Sequence, residues 1–288
     1  MTTDGAVALE PLAGLERTDE PDDELQAVIR THAQEMAARE PGTRLGADPE
    51  ELHKFRVATR RIRSLLRSTR GLVDDREESE HLRAELKWLA SLLGEVRDRD
   101  VLIAYLLGEL ESLDGAPFGA VLKVLDEERD AAREELVAGL DSPRYRQLVE
   151  DLQQPPRLRD GETLAGAAKG DYKRLRKTMN GLGADPADEA LHEARIRAKR
   201  ARYAVEAAGI GSSFVKRAKE LQDVLGEHQD AVVAEARIRE LLQRVRGSGR
   251  TAFAAGRLVE RQTARRAAAR DAWKLARRKL EKAGSKVF

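Results

Sequence analysis

The stretch Glu51-Leu-His-Lys-Phe-Arg-Val-Ala-Thr-Arg-Arg-Ile-Arg-Ser-Leu-Leu-Arg67 decides how the rest of the chain is read. At about 100° per residue it makes a helix with Leu52, Phe55, Ile62, Leu65 and Leu66 on one side. His53, Arg56, Arg60, Arg63 and Arg67 fall in a narrow arc beside them, and no acid occurs from His53 to Arg70. Surface helices usually mix the two signs of charge, because a row of like charges repels itself unless an anion lies against it. Alone, the stretch suits a solvated basic face as well as half of an anion site.

An internal repeat separates the two readings. Leu52-His-x-x-Arg-Val-x-x-Arg-Arg-x-Arg63 recurs as Leu191-His-x-x-Arg-Ile-x-x-Lys-Arg-x-Arg202, so His192, Arg195, Lys199 and Arg202 form a second arc. A second pair follows. Lys87-Trp-Leu-Ala-Ser-Leu-Leu-Gly-Glu-Val-Arg-Asp98 corresponds to Lys219-Glu-Leu-Gln-Asp-Val-Leu-Gly-Glu-His-Gln-Asp230. Phe55 becomes Ala194 and Ile62 becomes Ala201, while the cations are kept. A repeat retained only for packing would keep the apolar positions and let the charges drift. The departures are Arg67, which corresponds to Glu206, and Lys54, which corresponds to Glu193.

The fold class expected is all-α, with two tandem antiparallel helical bundles related by a pseudo-two-fold axis and a central basic groove or pore. Residues 1–21 read as an acidic tail, 22–152 as the first repeat, 153–161 as a Pro- and Gly-broken linker and 162–285 as the second repeat. Asp48-Pro49 and Asp185-Pro186 read as helix starts. Pro41-Gly42 reads as the end of the first helix. Gly94 and Gly226 read as C-caps, with Asp98 and Asp230 capping the helices that follow. Asp114-Gly-Ala-Pro117 is a further break, and His32 falls on the apolar stripe of the first helix as a packed histidine.

The 288 residues carry a net charge of only +1, so any affinity for polyanions must come from segregated charge. The absence of Cys excludes disulfides and thiolate sites and suits a reducing cytoplasm. The acidic N-terminus has no secretory h-region, and no apolar run reaches membrane-span length. There is no Gly-x-Ser-x-Gly elbow, no phosphate-cradling Gly-x-x-x-x-Gly-Lys loop and no histidine spacing suited to a metal. No catalytic residue, metal or cofactor is therefore expected. Nucleic-acid signatures are also missing, and single-strand binders need aromatic platforms that the arcs lack.

Arginine offers a planar fork of donors to phosphate oxygens, and lysine a compact charge. Side chains at i, i+3 or i+4, and i+7 form a ladder rising about 5.4 Å per turn, which a linear polyanion can track. Two readings compete with simple binding: phosphotransfer or phosphate-ester chemistry at His53, and a scaffold for acidic protein or nucleic-acid segments, the protein's own acidic tail among them.

These motifs, with Leu92-Leu-Gly-x-x-Arg97-Asp98-x-Asp100-Val101 and Leu221-Gln-x-x-Leu-Gly-x-His228-x-Asp230, resemble the conserved histidine α-helical domain (CHAD) family over roughly residues 22–282. The resemblance implies binding of inorganic polyphosphate along a basic central surface and association with polyphosphate granules in the cytoplasm. The Glu-x-Glu-x-Lys motif of the triphosphate-tunnel (CYTH) domain found in many relatives is missing, so a stand-alone member is expected. Carried over onto matching positions, the site comprises His53, Arg56, Arg60, Arg63 and Lys87, with His192, Arg195, Lys199, Arg202 and Lys219. Arg97 and Tyr203 join as edge contacts. Arg61 and Arg200 are included, although their offset of about 80° from the histidine line also suits pairing with Asp98 and Asp230. Arg67 is the first rung to drop, because its counterpart is an acid.

Overall fold

The computed structural model describes residues 23–111, 118–245 and 248–288. Among them the chain is all-α: α1 (Glu24–Leu45), α2 (Pro49–Ser68), α3 (Arg76–Glu111), α4 (Gly119–Asp141), α5 (Pro143–Asp151), α6 (Leu164–Asn180), α7 (Asp188–Ala207), α8 (Ser212–Arg244) and α9 (Gly249–Gly284). The acidic segment 1–21 and the Asp114–Pro117 break lie outside the described residues. Among the described residues, extended pairing is limited to an isolated bridge, Val73 to Leu158, which ties the α2–α3 connection to the non-helical run between α5 and α6.

Local chemistry fixes the first starts. Asp23 closes a capping box with Gln26 ahead of α1. Asp48 accepts from the Glu50 N–H at 2.9 Å, and Pro49 occupies the first position of α2.

Four expectations are corrected. Pro41 does not end α1. The helix runs on to Leu45 and stops at Gly46, whose φ of 67° is the left-handed conformation glycine tolerates. Gly94 and Gly226 are not C-caps. Each lies inside a single long helix, α3 or α8, and neither is among the positive-φ glycines. Asp98 and Asp230 are accordingly helix-interior residues. Finally, α7 starts at Asp188 after an uncapped Ala187, because Asp185 is taken by Arg270 of α9 at 2.7 Å and the Pro186 carbonyl by the same guanidinium.

Three apolar clusters hold the helices. The first joins α1, α2 and α5 to the N-terminal half of α3 and the C-terminal half of α4, through Ile29, Phe55, Leu86, Tyr145 and Leu136. The second joins α6 and α7 to the N-terminal half of α8 and the C-terminal half of α9, through Tyr172, Ala198, Phe214 and Trp273. The third lies where the far ends of the two long hairpins meet, with Leu106 of α3, Val121 of α4, Ile238 of α8 and Leu258 of α9. Polar ties reinforce this junction. Glu128 accepts from both Arg237 and Arg244, and Gln262 donates to the Tyr105 hydroxyl. Because α2 also packs directly on α7, the contacts close a circuit running α2, α3, third cluster, α8, α7. Val101 of α3 and Val233 of α8, at matching positions of the two long helices, stay exposed.

Candidate functional site

Burial sets the phase of both cationic helices. Leu52, Phe55, Ile62, Leu65 and Leu66 all enter the first cluster, so the basic arc of α2 must face away from it. Leu191, Ala194, Ala198 and Ala201 do the same for α7 in the second cluster. The α2–α7 contact then brings the two arcs into one cleft.

The electrostatics show how tightly they converge. The Lys199 ammonium is brought down to about 7, first by burial and then by Arg60, Arg195, Arg56 and Arg202, residues drawn from both helices. Burial, followed by Arg83, Arg56, Arg60 and Arg67, lowers Arg63. Arg56 is lowered by burial despite Asp98 beside it. His53 is also lowered, by burial and then by Arg97.

Few of these cations have a counter-ion. No carboxylate of the described residues lies within 4.0 Å of Arg60, Arg63, Lys87, Arg97 or Lys199. The Nε atoms of Arg60, Arg63 and Arg195 and the Nδ1 of His192 are buried without a partner. Elsewhere guanidinium groups are well matched: Arg44 meets Glu40 and Asp141, and Arg144 meets Glu85. An unsatisfied buried charge costs more than an unsatisfied neutral group. A row of them at one place is what an absent anion would relieve.

The repeated glycines belong to this design. Arg56 reaches along α3 to Asp98 at 3.5 Å, and Arg195 reaches along α8 to Asp230 at 3.9 Å. A Cβ built on Gly94 would sit 3.7 Å from the Arg56 guanidinium, and one on Gly226 only 3.2 Å from that of Arg195. Each glycine is the floor over which an arginine passes to its aspartate one turn on.

The other predicted residues are placed as follows. Asp98 and Asp230 face Arg56 and Arg195, not Arg61 and Arg200 as the helical offset suggested. Arg61 lies 3.8 Å from Glu206 and over the Tyr203 ring at 5.7 Å, beside His32 in a recess between α1, α2 and α7. His32, packed there, is pushed down to about 4 by burial and then by Arg61. Arg202 bonds Gln222 at 3.2 Å and covers Tyr203 at 4.5 Å, leaving that tyrosine buried. Lys219 is exposed and paired with Asp223 at 2.8 Å, whereas Lys87 is exposed without an acid. Arg200 is lowered to about 10, by burial and then by Arg67 and Arg197. Ser68 and Asp171, whose hydrogen bond pins the end of α2 to α6, were invisible in the sequence. Glu206 was visible only as a departure from the repeat.

Comparison with known proteins places these features in a lineage. A sequence model described as the CHAD domain matches residues 27–239. Two curated relatives from Mycobacterium tuberculosis, both described as uncharacterized proteins, are 32% identical over 260 residues. That match takes in 83% of this chain but 49% of each relative, so the chain spans about half the length of the curated relatives it matches. Among solved structures, PptA from Streptomyces chartreusis is similar with a TM-score of 0.76 and 25% identity, over 90% of this chain and 100% of PptA. The CHAD domain from the plant Ricinus communis is similar with a TM-score of 0.69 and 26% identity, over 88% of this chain and 90% of that one.

Proposed function

This chain belongs to the CHAD domain family, and on that premise we propose that it binds inorganic polyphosphate, without turning it over, in the cleft between α2 and α7. The family is associated with polyphosphate. The observation that carries the proposal is the convergence of Arg56, Arg60, Arg63, Arg195 and Lys199, where three arginine Nε atoms are buried without a partner and burial, then the surrounding guanidinium groups, bring Lys199 to about 7. A linear anion with a charge on every unit matches two ladders of fork-shaped donors better than a single phosphate does. Nucleic acid fits less well, because the one aromatic ring beside the arcs, Tyr203, is buried under Arg202 and offers no stacking face.

Among the described residues no helix is long and apolar enough to cross a membrane. Binding at polyphosphate granules follows from the same proposal.

Calorimetry with long-chain polyphosphate tests it. Reversing Arg56, Arg60, Arg195 and Lys199 to Glu should abolish binding while the helical circular dichroism persists. Unchanged affinity would overturn the proposal. Sustained release of free phosphate by the wild type would overturn the part that denies turnover.

A further inference from the structure

The repeat breaks at one position near the cleft, and the break has a geometric consequence. Arg61 corresponds to Arg200, and Arg67 corresponds to Glu206. On one flank of the α2–α7 contact, Glu206 of α7 faces Arg61 of α2 at 3.8 Å and Arg202 of its own helix at 3.4 Å, so the cations of that flank have an acid. On the other flank the equivalent partners are Arg200 of α7 and Arg67 of α2, so both members are cations. No carboxylate of the described residues lies within 4.0 Å of either. The nearest candidates are already used. Asp171 accepts from Ser68 and from Arg174, and Glu193 pairs with Arg197 at 2.6 Å. Their mutual repulsion is felt, since Arg67 is the leading charge that lowers Arg200. Arg67 also acts on Arg63, the last cation of the main arc, so the positive row continues from the cleft to this flank.

We propose that Arg67 and Arg200 form a phosphate subsite that prolongs the cleft on one flank only, so that a bound polyphosphate chain runs on past Arg67 and stops short at Glu206. The subsite rests on the polyphosphate function proposed above. It reverses the expectation that the unrepeated rung is the dispensable one. From Arg56 to Arg67 the α2 ladder rises about 16 Å at 1.5 Å per residue. A chain of three phosphates is too short to occupy the central arc and the subsite together, whereas a long chain does so.

Two reciprocal substitutions test this. Arg67→Glu gives both flanks the acid, and Glu206→Arg opens both; Glu206→Gln serves as a milder second variant, since it leaves Arg61 without a new charge opposite it. Arg257→Glu, at an exposed arginine on α9 outside the two cationic helices, reports the effect of bulk charge. Binding of tripolyphosphate and of long-chain polyphosphate is measured by calorimetry, with folding checked by thermal melting. Arg67→Glu is expected to weaken long-chain binding about 10- to 100-fold, the worth of one or two charge-assisted contacts, and to leave tripolyphosphate nearly unchanged. Glu206→Arg and Glu206→Gln are expected to strengthen long-chain binding. Equal losses in Arg67→Glu and Arg257→Glu, or no gain in either Glu206 variant, would overturn the subsite. If the cleft reversal described above abolishes binding while Arg67→Glu does not, the subsite falls and the polyphosphate function stands. If the wild type binds no polyphosphate, both fall.

Discussion

Lys199 makes proton uptake a measurable part of binding. In the free protein its ammonium is held at about 7, against an ordinary 10.5, by burial and by the surrounding guanidinium groups. A polyanion in the cleft offsets those charges and returns the group towards its ordinary value. The direction follows from linkage. The bound state holds more protons than the free state, so affinity must fall as pH rises above the free value. With a full return to 10.5, the Lys199 contribution is flat below about pH 6 and then declines close to tenfold per unit, about 1.4 kcal/mol. The loss reaches about a hundredfold by pH 9. Uptake is about half a proton at pH 7 and nearly a whole one at pH 8. Titration calorimetry at constant ionic strength, in two buffers of different ionisation enthalpy, reads both quantities. Long chains should be used, so that terminal phosphates contribute little. Lys199→Arg supplies the control, because an arginine stays charged throughout this range. The variant should bind with almost no dependence on pH between 7 and 9. A slope that survives in Lys199→Arg, or no uptake by the wild type at pH 8, would refute the assignment.

Four further outcomes follow from the packing and its ion pairs. Gly94→Ala places its Cβ at an ordinary distance from Arg56 and removes a glycine from a helix interior, so it should stabilise by roughly 0.5–1 kcal/mol in denaturant melts. Gly226→Ala meets the Arg195 guanidinium at 3.2 Å, so it should gain less stability and weaken polyphosphate binding severalfold in the same calorimetry. Phe55→Ala empties a fully buried site in the first cluster and should cost about 3–5 kcal/mol by urea unfolding. Glu128 is subject to burial, which opposes its charge, but hydrogen bonds from Arg237 and Arg244 win and hold it below its ordinary value. Its contribution is therefore complete above about pH 4.5 and lost as the carboxyl protonates below that; Glu128→Gln should remove this part of the acid-induced drop in melting temperature.

The cationic arcs were legible because a helix has one period and α2 obeys it: Leu52 to Leu66 are buried and His53 to Arg63 are not. Asp48-Pro49 was legible because its cap is purely local. The same local logic failed at Asp185-Pro186, where Arg270, 85 residues on, takes the aspartate first. It failed again at Gly94 and Gly226. A glycine after an apolar run reads as a stop, but these two serve arginines on other helices, and only the fold reveals that the run continues. The third cluster was hidden for a similar reason. Leu106, Val121, Ile238 and Leu258 look like ordinary core positions of separate hairpins, and nothing local says that they meet. Pairings within the site were assigned from angular offset alone. The offset of Arg61 was sound, but its partner, Glu206, lies on a different helix.

The closed circuit of helices carries a topological consequence. A polymer lying in an open trough can lift away sideways, whereas one encircled by protein must slide out by an end. For an encircled chain, escape time grows with the number of units still to pass, even when every unit is held equally weakly. The clasp that closes the loop is small: the third cluster, the Tyr105 hydroxyl accepting from Gln262, and Glu128 with its two arginines. Loosening it with Tyr105→Ala, which removes no charge, should speed the release of long polyphosphate more than that of short chains. Retention would then be governed by whether the ring stays shut, and the grip of its charges would set only how fast the chain creeps through it.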